Sequence, residues 1–283
     1  TDTRVFRGFY NTDDNTGDLI AQLIDFETNT VVEEPVFSAA ELLDQRTADS
    51  RVIVTFDPTT RRGIPFRHAE LNPLQQAVIT ADQVDYLRGV RDLERPLGDF
   101  RERPGLSGLL GDVINSEPVF VGGPSFSRRD RLEFPTADGD LYSSFQNAFA
   151  SRPGVVYVGA NDGMLHAFDA ESGVERFAFL PDRMLRTGEG DANAVTELTE
   201  PLYEHFFYVD GQPAVGDVFI DPAGGISRQW RSVLIGTYRA GGKGLFALDV
   251  TNPAAVTNEA AAAATVLWEF TDDDDTYPVV PST

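Results

Sequence analysis

The stretch VVYVGANDGMLHAFDAESG, Val155 to Gly173, decides how the chain is read. An apolar run ending at Gly159 is followed by Asn161-Asp162-Gly163, residue types that tolerate the positive φ of a tight hairpin. The next run alternates Leu165, Ala167 and Asp169 on one face with Met164, His166 and Phe168 on the other, which is the period of a strand. Ala167 is small, as expected where sheets crowd towards a common axis. Asp169 can accept hydrogen bonds from the backbone of the following turn, and Gly173 can take the left-handed position that closes it.

The same grammar recurs downstream. RSVLIGTYRAGGKGLFALDVTNP (231–253) and TVLWEFT (265–271) repeat strand, Gly turn, strand ending in Ala-x-Asp, turn and aromatic strand. Gly236 stands 77 residues after Gly159, and Asp249 stands 80 after Asp169, a slip that a turn of variable length accounts for. Ala247 matches Ala167, and Trp268 is the aromatic of the last strand. Repeated four-stranded antiparallel units of this kind read as propeller blades. A weaker copy, VFRGFYNTDDNTGDLIAQLIDFETNTVVEEPVF (5–37), opens the chain, with RVIVTFD (51–57) as its further strand.

Between the first and second units the period turns helical. Asn72-Pro73 is a capped helix start, and Asp82 is expected to cap a second helix over QVDYLRGV. The organisation expected is a blade-like unit at 4–57, a small helical insertion at about 65–95, blades at 117–181 and 203–271, and an acidic tail at 272–283. The fold class is all-β: a quinoprotein-like β-propeller of four-stranded antiparallel blades with an incomplete ring, since closure takes about four blades or more. The chain is accordingly read as part of a longer propeller.

Composition narrows the function classes. Formal net charge is −22, which repels phosphate backbones and argues against a nucleic-acid partner. Lys243 is the single lysine among 23 basic residues. No run reaches the length of a membrane span, about 18 apolar residues. With no cysteine, disulfides, thiolate metal sites and cysteine nucleophiles are excluded within the chain. The first residue is Thr, so a processed or partial protein is expected.

Catalytic patterns are weak. His166 lies mid-strand among hydrophobics and reads as a structural histidine, with Asp162 and Asp169 assigned to turns. His68 and His205 are scattered, and no zinc spacing is present. GTYRAGGKG (236–244) resembles a phosphate loop but places Gly244 where Ser or Thr should follow Lys243, and a strand follows instead of a helix. There is no Gly-x-Ser-x-Gly elbow. The block Asp272–Asp275 reads as a solvated loop, with Asp272 and Asp274 as weak divalent-cation candidates.

Taken in order, RVIVTF, PFRHAELNPLQQAV, DYLRGVRDLE, FRERPGLSGLLGDVINSEPVFVG, VYVGANDGMLHAFDAESGVERFAFLP, YEHFFYVDGQPAVGDVFI, WRSVLIGTYRAGGKGLFALDVTNP and VLWEF resemble the C-terminal β-propeller of the PilY/PilC-type proteins, the type IV pilus tip adhesins and biogenesis factors. The resemblance runs from about Arg4 to Phe270. It implies an exported, non-enzymatic protein at the cell surface, pilus tip or outer membrane, supporting pilus assembly, retraction control and adhesion. Implied partners are pilin, minor pilins and a host or abiotic surface. Calcium is a cofactor implied by some members, through an EF-hand-like loop. Such a loop needs Asp or Asn at alternate positions followed directly by Gly. NTDDNTGD (11–18) offers Asn11, Asp13 and Asn15, but Thr16 holds the Gly position, so Asp13 and Asn15 are weak candidates and the loop is expected beyond this chain. The alternatives are a fragment of a quinoprotein-like dehydrogenase, whose repeats share Ala-x-Asp and an outer Trp such as Trp268, or a generic envelope-assembly propeller scaffold.

Overall fold

The computed structural model describes residues 3–105, 108–128, 130, 141–186, 194–225 and 227–272. Its strands are β1 (Arg4–Asn11), β2 (Thr16–Asp25), β3 (Thr30–Val31), β4 (Phe37–Ser38), β5 (Ile53–Asp57), β6 (Arg62–Pro65), β7 (Val119–Val121), β8 (Val155–Gly159), β9 (Leu165–Asp169), β10 (Glu175–Leu180), β11 (Ala214–Ile220), β12 (Gln229–Thr237), β13 (Gly244–Asp249) and β14 (Val266–Thr271). Helices are few and small: α1 (Ala39–Asp44), α2 (Pro73–Gln76), α3 (Ala81–Arg88), α4 (Tyr142–Phe149) and α5 (Glu259–Ala263).

The strands form three sheets, with no closed barrel among the described residues. β7-β8-β9-β10 is an antiparallel meander, and β11-β12-β13-β14 is a second. β2 is flanked by β1 on one side and by the short β3 and β4 on the other. The two meanders are the four-stranded antiparallel blades expected from the repeat.

One strand is placed differently from the sequence reading. β5 does not join β1–β4; it pairs parallel to β10, with Ile53 opposite Ala178, and carries β6 as an outer antiparallel strand. All five β5 residues are buried. A strand without a solvent face needs neighbours on both edges and cover on both faces, and the middle of a large sheet supplies them.

That six-stranded sheet is the centre of the molecule. One face, carrying Tyr157, Leu165, Ala167, Phe177 and Phe179, shares a core with the second meander and the helical insertion. There Phe179 meets Phe246 at a ring distance of 5.0 Å. The opposite face, with Val156, Val158 and Phe168, packs on Leu19, Ala21, Phe37 and Leu43 of the N-terminal sheet and α1. Burial on both faces is why β8 reads as a continuous apolar run rather than an alternating one.

The helical insertion starts at Asn72, whose side chain accepts from the amides of Leu74 and Gln75 in a reciprocal capping box. The cap of α3 is Thr80, paired with Gln83, and not Asp82, which sits in the first turn where its charge suits the helix dipole. The apolar run at 205–209 is not a strand: the Tyr208 amide donates to the Asn161 side chain, so this backbone is satisfied by a side chain instead of a ladder.

Candidate functional site

The site grows from the hairpin between β8 and β9. At Gly159 a Cβ would come within 2.2 Å of the Val209 carbonyl oxygen, so no other residue fits this approach. The turn closes with Gly163 at φ +90°, its amide donating to the Ala160 carbonyl at 3.3 Å. The turn side chains then reach outward. Asn161 Nδ2 donates to Asp112 Oδ2 at 2.8 Å, while Asn161 Oδ1 accepts from the Tyr208 amide at 3.0 Å. His205 Nε2 also contacts Asp112 Oδ2 at 2.8 Å. One hairpin turn therefore ties the segment before β7 to the segment before β11, a seam between successive blades.

Asp162 does more than stabilise its own turn. Its carboxylate accepts from the amides of Met164 and Gly111, both at 3.0 Å, and from His166 Nε2 at 2.9 Å. His166 is fully buried, stacked on Phe168, and donates from Nδ1 to Glu175 Oε1 at 2.9 Å. Glu175 is in turn held by the Arg51 fork, Nε to Oε2 and Nη2 to Oε1, each at 2.9 Å. The result is a buried chain of alternating charge: Asp162, His166, Glu175, Arg51. Burial by itself lowers the imidazole pKa, but the carboxylates of Asp162 and Glu175 outweigh it and push the group up to about 9. Burial likewise opposes ionisation of Glu175, yet Arg51 and His166 hold its carboxyl far below the usual range.

Both nitrogens of His166 are thus committed to carboxylates, and neither is left to activate a nucleophile. The geometry orders two strands and a turn; it offers no free base or metal ligand. In the second meander the residue before the matching Ala247 is Phe246 instead of His, and the charge chain has no counterpart there. The blade architecture therefore does not require it.

The other sequence-derived residues fall as follows. Ala167 and Ala247 are fully buried in mid-strand, opposite Tyr157 and Ile235 respectively. Asp169 Oδ1 accepts from the amides of Glu171 and Ser172, its Oδ2 pairs with Arg176, and Gly173 has φ +76°. Asp249 Oδ1 accepts from the Thr251 amide, and its Oδ2 lies 3.4 Å from Arg231. Gly236 lies in β12 against the Phe246 ring. Trp268 is half-buried on β14 and lines a groove beside Arg61 and Arg62.

The weak calcium candidates within the described residues fall in two places, Asp13 and Asn15 in the β1–β2 turn and Asp272 just past β14. In the β1–β2 turn Asn11 and Asp14 spend side-chain oxygens on the amides of Asp13 and Thr16, and Asn15 takes φ +57°. With Thr16 where an EF-hand-like loop needs Gly, this turn does not match that cage. Asp272 stands 3.8 Å from Lys243 and 3.9 Å from Arg183, and Asp274 lies outside the described residues. Among the described residues, no group of three or more His, Asp or Glu is placed to hold a metal.

Several residues of the site escape sequence reading: Arg51, Asp112, Glu175 and Glu269. Glu269 follows Trp268 on β14 and is buried. It accepts from the amides of Asp182 and Arg183 at 2.9 and 2.8 Å and from Tyr238 Oη at 2.7 Å. It clasps the end of one meander to the other. Burial, with the Asp182 carboxyl nearby, raises its pKa to about 7. These acids sit among ordinary strand residues, and their partners are remote in sequence, so no local spacing marks them.

Antiparallel meanders packed face to face, with Asx-rich hairpin turns stitching one to the next, define a β-propeller domain. The chain belongs to the family of the PilY1 beta-propeller domain, whose family model matches residues 110–278. It is 38% identical over 259 residues to a type IV pilus biogenesis factor PilY1 homolog of Xylella fastidiosa, covering 91% of this chain and 18% of that protein. It is 42% identical over 197 residues to the type IV pilus biogenesis factor PilY1 of Pseudomonas aeruginosa strain PAK, covering 69% of this chain and 14% of that one. The chain thus spans under a fifth of the length of these curated relatives. Among solved structures it is similar to the Pseudomonas aeruginosa PilY1 C-terminal domain, 41% identical with a TM-score of 0.36, covering 54% of this chain and 25% of that one. Among the described residues, no helix is long and apolar enough to cross a membrane.

Proposed function

We propose that the protein serves type IV pilus biogenesis as a non-catalytic propeller domain, exported to the cell surface or pilus tip. There it supports pilus assembly and retraction control and contributes to surface adhesion. Family membership over residues 110–278 carries this reading, because the relatives so named are pilus biogenesis factors. The non-catalytic part is supported by His166, whose ring is sealed from solvent with both nitrogens paired to carboxylates. Its partners on this reading are pilin and minor pilins on one side and a host or abiotic surface on the other.

Deletion of the gene, with surface pili counted by electron microscopy and twitching measured on agar, tests the proposal. Loss of both, restored by the wild-type gene, is expected. Full piliation and twitching in the deletion strain would overturn it, and dye-linked alcohol oxidation on adding pyrroloquinoline quinone would overturn the non-catalytic part.

A further inference from the structure

The turn joining β5 to β6 sets two arginines side by side at the mouth of a groove of about 640 Å³. Arg61 and Arg62 form one wall, the β11–β12 turn with Pro222 forms the other, and Ile220, Val266 and Trp268 contribute apolar lining. Both arginines are exposed, and among the described residues neither side chain has a hydrogen bond or ion pair. Elsewhere in the chain several arginines are drawn into the fold. Arg51, Arg88, Arg103 and Arg152 are buried or half-buried and bonded to carboxylates, carbonyls or hydroxyls.

The acids near the groove do not neutralise the pair. Asp57, at the start of the same turn, spends its carboxylate on the Thr59 amide, the Thr60 hydroxyl and Asn72 Nδ2. Asp221, in the facing turn, accepts from the amides of Ala223 and Ser227. These bonds rigidify both walls and leave two guanidiniums against the one charge of Asp221 within the groove. Arg61 moreover holds φ +56°, a left-handed conformation a glycine would adopt at less cost, and so presents a side chain where none is needed for the turn. In a chain of net charge −22, a positive spot beside an indole is a local reversal of the surface field.

The lining selects the ligand. Two guanidinium forks match carboxylates in geometry, and an indole with aliphatic neighbours matches an apolar side chain. A bare phosphate would leave the apolar floor unused. A sugar acid needs hydroxyl partners, and the carboxylate of Asp221 is already committed to its turn. A peptide with acidic and apolar side chains in alternation satisfies both halves of the groove. We propose that the groove between β6 and the β11–β12 turn binds an acidic peptide segment, with carboxylates on Arg61 and Arg62 and an apolar side chain against Trp268.

Fluorescence anisotropy on the purified chain tests this, with a labelled peptide alternating aspartate and leucine as the probe. A matched peptide carrying asparagine, inorganic phosphate and polygalacturonate serve as comparisons. The aspartate peptide is expected to bind, more weakly as salt rises. The paired reversal Arg61→Glu with Arg62→Glu is expected to weaken binding by about tenfold or more. Reversal of the exposed Arg7 and Arg95, elsewhere on the surface, changes net charge equally and is expected to leave binding within about twofold. Arg62→Gln and Trp268→Leu, each read with a melting curve, keep the test open where the double variant does not fold. Absence of binding by the wild type, equal binding of the asparagine peptide, equal loss in the control pair, or displacement by phosphate or polygalacturonate at matched charge would each overturn the proposal. Binding in solution is read apart from piliation, so this proposal and the pilus reading fail separately.

Discussion

His166→Phe removes the centre of the buried charge chain while keeping an aromatic of similar size on Phe168, as Phe246 does at the matching place in the second meander. In the variant Glu175 keeps Arg51, and Asp162 keeps two backbone amides, but one buried positive charge is gone between two carboxylates. Removing one partner from a buried ion pair costs about 3–5 kcal/mol, because the remaining charge is left short of compensation. Part of that cost depends on pH. The imidazole pKa rises from 6.5 to about 9 on folding, so the folded state holds a proton that the unfolded state gives up. A tenfold gain in proton affinity is worth about 1.4 kcal/mol, so the protonated imidazole contributes roughly 3 kcal/mol. The contribution is fully present below the unfolded value of 6.5 and is lost as pH rises through about 9. Urea denaturation followed by intrinsic fluorescence, for wild type and variant at steps from about pH 6 to about pH 10, measures the gap between them. The gap should be roughly 3 kcal/mol or more at the acid end and should narrow steadily above neutrality. A cost below about 1 kcal/mol, or a gap constant with pH, would refute the charge-chain reasoning.

Glu269 gives a second pH signature. Its pKa rises from 4.5 to about 7, so the folded state favours the protonated acid, and this group's contribution is lost as pH climbs from 4.5 through about 7. Glu269→Gln should flatten the stability profile across that window, measured by the same denaturation series. Gly163→Val forces a β-branched residue to φ +90° and drives its Cβ to within 2.6 Å of Val195. It should destabilise by about 2 kcal/mol or more, read as a lower urea midpoint. Asp13→Ala combined with Asn15→Ala should lower the melting temperature, since alanine is strained at the φ +57° of residue 15, but should do so equally with and without millimolar calcium, because the neighbouring Asn11 and Asp14 oxygens are spent on the turn's own amides. A calcium-dependent stabilisation that disappears in this double variant would show that the turn does bind the ion.

Local periodicity, turn chemistry and repetition were enough to read the two meanders, the Asn161-Asp162-Gly163 hairpin, the Asp169 turn and the capped start at Asn72. Each depends on residues within a few positions of one another, and Ala-x-Asp recurs at both Asp169 and Asp249. The same residues resemble the family to which residues 110–278 belong. Partnership at long range was decided by the tertiary structure. β5 looks like a strand in any setting, and only packing assigns it to the distant β10, with Ile53 opposite Ala178 and cover on both faces. Asp162 reads as a turn residue, but burial of His166 makes it an ion-pair partner as well. Arg51, Glu175 and Glu269 carry no local mark, because desolvation and charge pairing are properties of the assembled sheets. Sequence alone determined the blades and their turns; the three-dimensional packing decided which charges were buried together, since a charge reveals its partner only when both are taken out of water.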